Sequence, residues 1–290
     1  MPENSAPYRD AIVRAFPDLA GSTFRSLAMG WHSLAIDVDD RLIFKFPRGE
    51  EAEQDLRREA RILEAVRPRL SMPVPDLQLF EQPLLFSRHD KIPGEHLLHD
   101  QYEKLTLEAR ERLAEMIALF HAELHALPPE AMRRAGATAI KPWLSSAEIR
   151  AKALPLVPPE HRALCQRALD FYDATAPDPL GTTYGFFDGH GWNMAFDHVR
   201  QQLNGIYDFA DSGFGSLHQD FVYSTFVSFD LTWRIIDRYT RMTGRTIDKE
   251  RVVLLTGAHR LSELAELAED SRHVTMARNN VAFWAANTLP

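Results

Sequence analysis

The chain has 290 residues, more than one average domain, of which 45% are hydrophobic and 26% charged, so it can bury a large core and general disorder is excluded. A net charge of −8, with acids and bases interspersed, argues against a nucleic-acid partner, which wants a basic face. The single cysteine, Cys165, excludes an intramolecular disulfide and a cysteine-built zinc site, and is compatible with the reducing cytoplasm expected for this chain.

Residues 1–19, MPENSAPYRDAIVRAFPDL, carry charges throughout and have no apolar h-region, so no secretory signal is expected there. No run approaches the ~18–20 apolar residues that span a bilayer, and no membrane partner is expected. Next, TFRSLAMG, HSLAIDVDD and RLIFKFPR read as three strands, with Asp39-Asp40 as a two-residue turn between the last two. EAEQDLRREARILEAVRPRL follows with Leu56, Ile62, Leu63 and Val66 near a 3.6 period, which predicts a helix ending before Pro73. DLQLF and PLLFSRHD then read as two more strands. KIPGEHL breaks the pattern at Pro93 and Gly94, and a hinge is expected near residue 92.

Beyond it the chain reads as helical. Residues 104–127 carry an apolar stripe of Leu105, Leu113, Met116, Ile117, Phe120 and Leu124, and further helices are expected near 146–154, 159–174, 217–242, 247–256 and 258–287. Only TYGFF, NMAFD and LNGIYDF, within 182–209, have strand character. The expected architecture is α+β: a small antiparallel-sheet lobe with one helix at 1–92, then a larger, mostly helical lobe at 93–290 with one embedded hairpin system. Clefts between such lobes are where ligands usually bind.

The hairpin region holds Asp188 and Asn193 in the order D-x-x-x-x-N, then a strand, a turn expected at Asn204-Gly205, a second strand, and Asp208. A hairpin returns the chain to its start, which can bring Asp208 back beside Asn193. An amide oxygen and a carboxylate are hard donors that suit Mg²⁺ together with phosphate and water. Asp188 can then point at an incoming hydroxyl, giving the base and two metal-holding groups that phosphoryl transfer needs. A cation for the phosphates is available in Lys45, flanked by Phe44 and Phe46, which alternation turns the other way. Glu59 can hold that ammonium from the following helix; Glu51, Glu53 and Glu64 compete, but the Leu56–Ile62–Leu63 face favours Glu59. Gly30 and Ser33, in the turn Met29–Ser33, could cap a terminal phosphate. His121 and His125 in HAELHAL have an i, i+4 spacing that could bind zinc; without a third ligand nearby they read as structural.

In this order the motifs FFDGHGWN, IYDFAD, IFKFPR, REARILEAV, KIPG and FHAELHAL resemble those of the aminoglycoside phosphotransferase family, which shares a protein-kinase-like fold with choline kinases. The resemblance covers about residues 22–225. It implies Asp188 as catalytic base, Asn193 and Asp208 as Mg²⁺ ligands, and Lys45 with Glu59 at the phosphates of ATP or GTP. It also implies purine contacts from backbone near Asp90–Ile92, and Asp220 as a brace for the catalytic loop. The implied reaction transfers the γ-phosphoryl group to a hydroxyl of a small molecule; a nucleotide-binding pseudokinase is the alternative. The chain departs from the family in two places. Phe186-Phe187 stand where His-Gly usually precedes the aspartate, which leaves the bracing partner of the loop unidentified, and His190-Gly191-Trp192 alter the loop before Asn193. A protein-kinase G-x-G-x-x-G loop and A-P-E motif are absent from the sequence, which favours a small acceptor over a protein.

Overall fold

The computed structural model describes residues 6–27, 33–82, 84–174 and 177–288. It divides into two compact units, one of Met1–His96, Ala126–Ala137 and Asn193–Ala210, the other of Leu97–His125, Thr138–Trp192 and Asp211–Pro290.

Helix α1 (Ala6–Ala15) leads to β1 (Phe24–Ser26), β2 (Ser33–Val38) and β3 (Leu42–Pro47), then helix α2 (Glu50–Val66), β4 (Gln78–Phe80) and β5 (Phe86–Asp90). The described strands form an antiparallel sheet in the order β1-β2-β3-β5-β4. Asp39 and Asp40 both adopt left-handed φ, 56° and 57°, and Arg41 N–H donates to Val38 O at 3.1 Å, which closes the expected turn. Alternation along β3 sends Phe44 and Phe46 into a core with Leu34, Ile36 and Phe86, and leaves Lys45 on the opposite face. Helix α1 was not expected in a lobe read as having one helix. It is short, but Ile12 is buried in that core and Tyr8 meets Phe46 with ring centroids 4.9 Å apart, so tertiary packing supplies what its weak pattern does not.

After residue 96 come α3 (His99–Tyr102), α4 (Leu107–His125), α5 (Pro129–Arg134), α6 (Ser146–Lys152) and α7 (Arg162–Ala174). Strands β6 (Thr182–Gly185), β7 (Met194–Asp197), β8 (Gln202–Ile206) and β9 (Gly213–Ser216) follow, then helices α8 (Phe229–Thr243), α9 (Lys249–Glu266) and α10 (Val274–Asn287). In the second unit α4 lies along α8, and α9 is flanked by α6, α7 and α10 around Ile149, Leu169, Leu261 and Trp284. Strand β6 pairs with β9, whose glycines concealed it from a sequence reading.

The first unit takes back two later segments, so its limits differ from a cut at residue 92. The β7–β8 hairpin is the reason for one of them. Phe196 exchanges backbone hydrogen bonds with Glu95 at 2.8 and 2.9 Å, and Ile206 N–H donates to Pro73 O at 3.1 Å. Its turn is not at Asn204-Gly205 as expected but at 198–201. There Asp197 Oδ1 accepts the N–H groups of Val199 and Arg200, both at 2.9 Å, and Gln201 has φ 52°. Asn204 instead bulges out of the ladder, which pairs Ala195 with Gly205 and Phe196 with Leu203, and its amide donates to Pro93 O at 2.7 Å.

Two helix expectations also change. The stretch read as one helix at 217–242 is a pair of 3₁₀ turns, Leu217–Phe221 and Tyr223–Phe226, before α8 begins. Extended Ser228 caps that helix by accepting Asp230 N–H at 3.2 Å. The break expected at residue 257 is absent, because α9 runs through Gly257 and the chain turns at 267–273 instead. A Cβ at Gly257 would overlap the Trp284 ring. Gly257→Ala should therefore lower the denaturant midpoint by about 1–3 kcal/mol of stability through overpacking. Helix propensity alone predicts a gain of about 1 kcal/mol, so the sign of the measured change separates the two effects.

Candidate active site

In the first unit, β3, α2 and the residue pair after β8 converge on one ammonium. Lys45 Nζ lies 2.8 Å from Asp208 Oδ1 and 3.4 Å from Glu59 Oε2. Glu59 Oε1 accepts Phe209 N–H at 2.9 Å, so the same buried carboxylate also fixes the backbone that presents Asp208. Asp208 itself has φ 69°, a left-handed conformation that aspartate tolerates better than most residues. Burial pushes the Lys45 ammonium down, but the Glu59 and Asp208 carboxylates outweigh it and hold the group above the usual lysine value. Burial likewise raises the Glu59 carboxyl, with Lys45 opposing.

Two carboxylates around one ammonium leave a surplus of negative charge, and the Asp208 side chain is 41% exposed while Glu59 is closed off. Tyr207 N–H donates to Asn193 O at 3.0 Å, so the hairpin sets Asn193 at the same end as Asp208. These two residues carry the hard oxygen donors that a divalent cation such as Mg²⁺ takes. Glu53, one of the competitors for Lys45, pairs with Arg57 instead.

The other residues expected on this side are more dispersed. Ser33 opens β2 opposite Pro47, and Gly30 lies outside the described residues. Asp90 is exposed at the end of β5, and Ile92 is half-buried against Gly205. Between them, Lys91 N–H is already spent on Arg41 O at 2.7 Å, and its ammonium lies 2.7 Å from buried Asp37.

In the second unit, β6 delivers Phe186 and Phe187 into the core immediately before Asp188. Phe187 has φ 54°, a conformation that costs an aromatic residue on the order of 1–2 kcal/mol and persists only where surroundings impose it. Asp220 imposes it: its carboxylate accepts Phe187 N–H at 2.5 Å and Phe186 N–H at 3.2 Å. Asp220 is thus placed to brace this loop, as the resemblance implies, and it acts on backbone amides, so the side chains at 186 and 187 are released for packing. Gly185 makes room, since a Cβ there would overlap the carboxylate.

Asp220 is in turn held by His121 Nδ1 at 3.2 Å and His125 Nε2 at 2.9 Å, and His125 Nδ1 meets Tyr239 OH at 2.9 Å. Burial pushes the Asp220 carboxyl up, but the two histidines outweigh it and hold it far below the usual carboxylate range. Burial pushes the His125 imidazole down against the pull of Asp220. The donor atoms of His121, His125 and Asp220 lie within 4.8 Å of one another, as a metal site would require. Here, however, they satisfy one another, the backbone and Tyr239, which is the behaviour of a closed hydrogen-bond network. Asp188 is half-buried, with His190 Nε2 3.1 Å from its Oδ1. Neither that contact nor the part of Tyr239 had a signal in the spacing of motifs.

A model of the family described as the phosphotransferase enzyme family matches residues 23–254. No curated protein matches in sequence. Among solved structures the chain is similar to the GDP complex of wild-type aminoglycoside 2'-phosphotransferase-IIIa, at 22% identity over 99% of this chain and 100% of that one, TM-score 0.84. It is also similar to a macrolide 2'-phosphotransferase from Brachybacterium faecium, 16% identical over 94% and 97% of the two chains, TM-score 0.67. A third is the streptomycin-ATP-APH(2")-IIa ternary complex, 19% identical over 91% and 89%, TM-score 0.62. At these identities the likeness establishes the α+β, protein-kinase-like fold.

Proposed function

The chain belongs to the phosphotransferase enzyme family, and we propose that it moves the γ-phosphoryl group of ATP or GTP to a hydroxyl of a small molecule, with Mg²⁺. The observation that carries this reading is the convergence of Lys45, Glu59 and Asp208 from three separate elements of the first unit. A largely desolvated ammonium with more carboxylate than it needs, its side chain 21% exposed, is expensive to build as a mere ion pair. It makes sense where a phosphate chain will take the ammonium and a divalent cation will take Asp208. Relatives solved with GDP and with streptomycin and ATP support a nucleotide donor and a hydroxyl-bearing acceptor.

In this proposal Lys45 neutralises the α- and β-phosphates, and Glu59 keeps Lys45 aimed while fixing the backbone at Phe209. Asn193 and Asp208 hold Mg²⁺, which when bound neutralises charge developing on the transferred group. Ser33 caps the terminal phosphate, and backbone between Asp90 and Ile92 meets the purine. Asp188 accepts or orients the proton of the acceptor hydroxyl, and Asp220 keeps it in place through the amides of Phe186 and Phe187. Positioning and electrostatics supply the rest of the rate. The first unit thus carries the nucleotide half of the chemistry and the second the acceptor half.

Lys45→Met should weaken Mg²⁺-nucleotide binding by roughly 10–100-fold, the equivalent of one charge-assisted hydrogen bond of about 1.5–3 kcal/mol. Calorimetric titration with ATP and with GTP checks this. Equal affinity in the variant and the parent for both nucleotides would remove Lys45 from the phosphate site.

A further inference from the structure

We infer that His190 is a positioning residue that holds Oδ1 of Asp188; the inference rests on Asp188 being the base. Residues 188–190 close a three-residue turn in which His190 N–H donates to Asp188 O at 2.8 Å. The turn carries the imidazole back onto the acid that precedes it, where Nε2 lies 3.1 Å from Oδ1.

The ring is itself held in place. It lies nearly parallel to Phe226, with centroids 6.4 Å apart and planes 22° from each other. The Phe226 ring also carries the Arg260 guanidinium, 3.2 Å from its centroid, and Arg260 is fixed by Glu263 at 2.7 Å. His259, one residue before Arg260 on α9, adds its ring 5.3 Å from Phe226. A stack of side chains therefore runs from α9 to the catalytic-loop acid, all within the second unit.

Packing alone does not account for a histidine here. His190 Nδ1 is buried and has no hydrogen-bond partner among the described residues, a cost that phenylalanine or leucine would avoid. What the imidazole offers in return is its other nitrogen, on Asp188. Burial pushes the imidazole down, yet Asp188 outweighs it and holds the group above the usual histidine value. Arg260 opposes that shift; His259 and Glu263 are the other titratable groups near it.

The consequence is catalytic through Asp188. The terminal torsion of an aspartate is broad and roughly two-fold, so whatever freedom the carboxylate keeps must be frozen as the hydroxyl arrives. Tethering Oδ1 sets the carboxylate plane in advance, and small misplacements of such groups can cost on the order of 100-fold.

Two variants and one titration test this. His190→Phe keeps a ring on Phe226 and removes the donor; His190→Gln keeps a donor nitrogen at the reach of Nε2 and gives up the ring. Turnover is read as Mg²⁺-dependent release of phosphate from ATP or GTP, with Asp188→Ala measured in parallel. The Phe variant is expected to lose roughly 10–100-fold in kcat with KM for nucleotide unchanged, and the Gln variant to recover most of the loss. Independently of turnover, the NMR titration midpoint of His190 should fall in Asp188→Asn. Full kcat in the Phe variant, no rescue by Gln, or an unmoved His190 midpoint would each overturn the inference. Loss of turnover in Asp188→Ala beside full activity in His190→Phe would leave the base assignment intact, whereas full turnover in Asp188→Ala would remove the base assignment itself.

Discussion

Asp188→Ala should lower turnover by on the order of 10²–10⁴-fold while leaving nucleotide affinity nearly unchanged. The separation follows from where the groups sit. The ammonium and the oxygen donors proposed for the nucleotide, at Lys45, Glu59, Asn193 and Asp208, belong to the first unit, and Asp188 belongs to the second. Removing the acid takes away the proton acceptance and hydroxyl orientation proposed for it but leaves the Lys45–Glu59–Asp208 cluster untouched. Parallel kinetics and calorimetric nucleotide titration check both halves. A variant that lost nucleotide binding and turnover together would point to a structural fault, and one that kept full turnover would remove Asp188 from the chemistry.

Asp220→Ala should destabilise the second unit by about 3–5 kcal/mol. It deletes the acceptor of two backbone N–H groups at Phe186 and Phe187 and the partner of His121 and His125, all of them buried. It also releases Phe187 from its left-handed conformation, so the start of the loop that carries Asp188 relaxes even where the fold survives. The pH dependence has a definite sign. The folded carboxyl is held well below its ordinary value, so its stabilisation is fully present above the unfolded carboxylate pKa of about 3.9 and is lost progressively as pH falls below it toward the much lower folded value. His125, depressed by burial, adds a loss of the same sign that begins as pH drops below the unfolded histidine value of about 6.5. Below about pH 4, where the carboxylate of the unfolded chain titrates, denaturant midpoints should fall more steeply for the parent than for Asp220→Asn, which lacks that group. A parallel fall in both would show that the network does not govern acid stability.

Much of this was legible in the chain because it rests on local rules. Strand alternation placed Lys45 opposite Phe44 and Phe46, and helical periodicity selected Glu59 from its acidic neighbours; the observed contacts have that geometry. What escaped depends on long-range packing. Asn204-Gly205 looks like a hairpin turn, but Asn204 bonds to Pro93 and a Cβ at Gly205 would meet Pro73 O at 2.6 Å, so the glycine serves close approach within a strand. Gly257 looks like a helix break and is a seat for Trp284. The resemblance gave Asp220 as a brace for the loop without saying what it grips; it reaches the backbone amides of Phe186 and Phe187 directly, from more than thirty residues on. No spacing rule announces a carboxylate that binds amides across such a separation.

The most direct measurement is phosphate transfer itself. Purified protein with Mg²⁺ and γ-labelled ATP or GTP is offered hydroxyl-bearing acceptors such as kanamycin, streptomycin and erythromycin, and products are followed by ³¹P NMR and mass spectrometry. A phosphate monoester on an acceptor hydroxyl is expected, formed by the parent and lost in both Asp188→Ala and Asp208→Ala. Nucleotide bound in the presence of Mg²⁺, with neither transfer to any acceptor nor slow hydrolysis to inorganic phosphate, would contradict it and favour a nucleotide-binding module without catalysis.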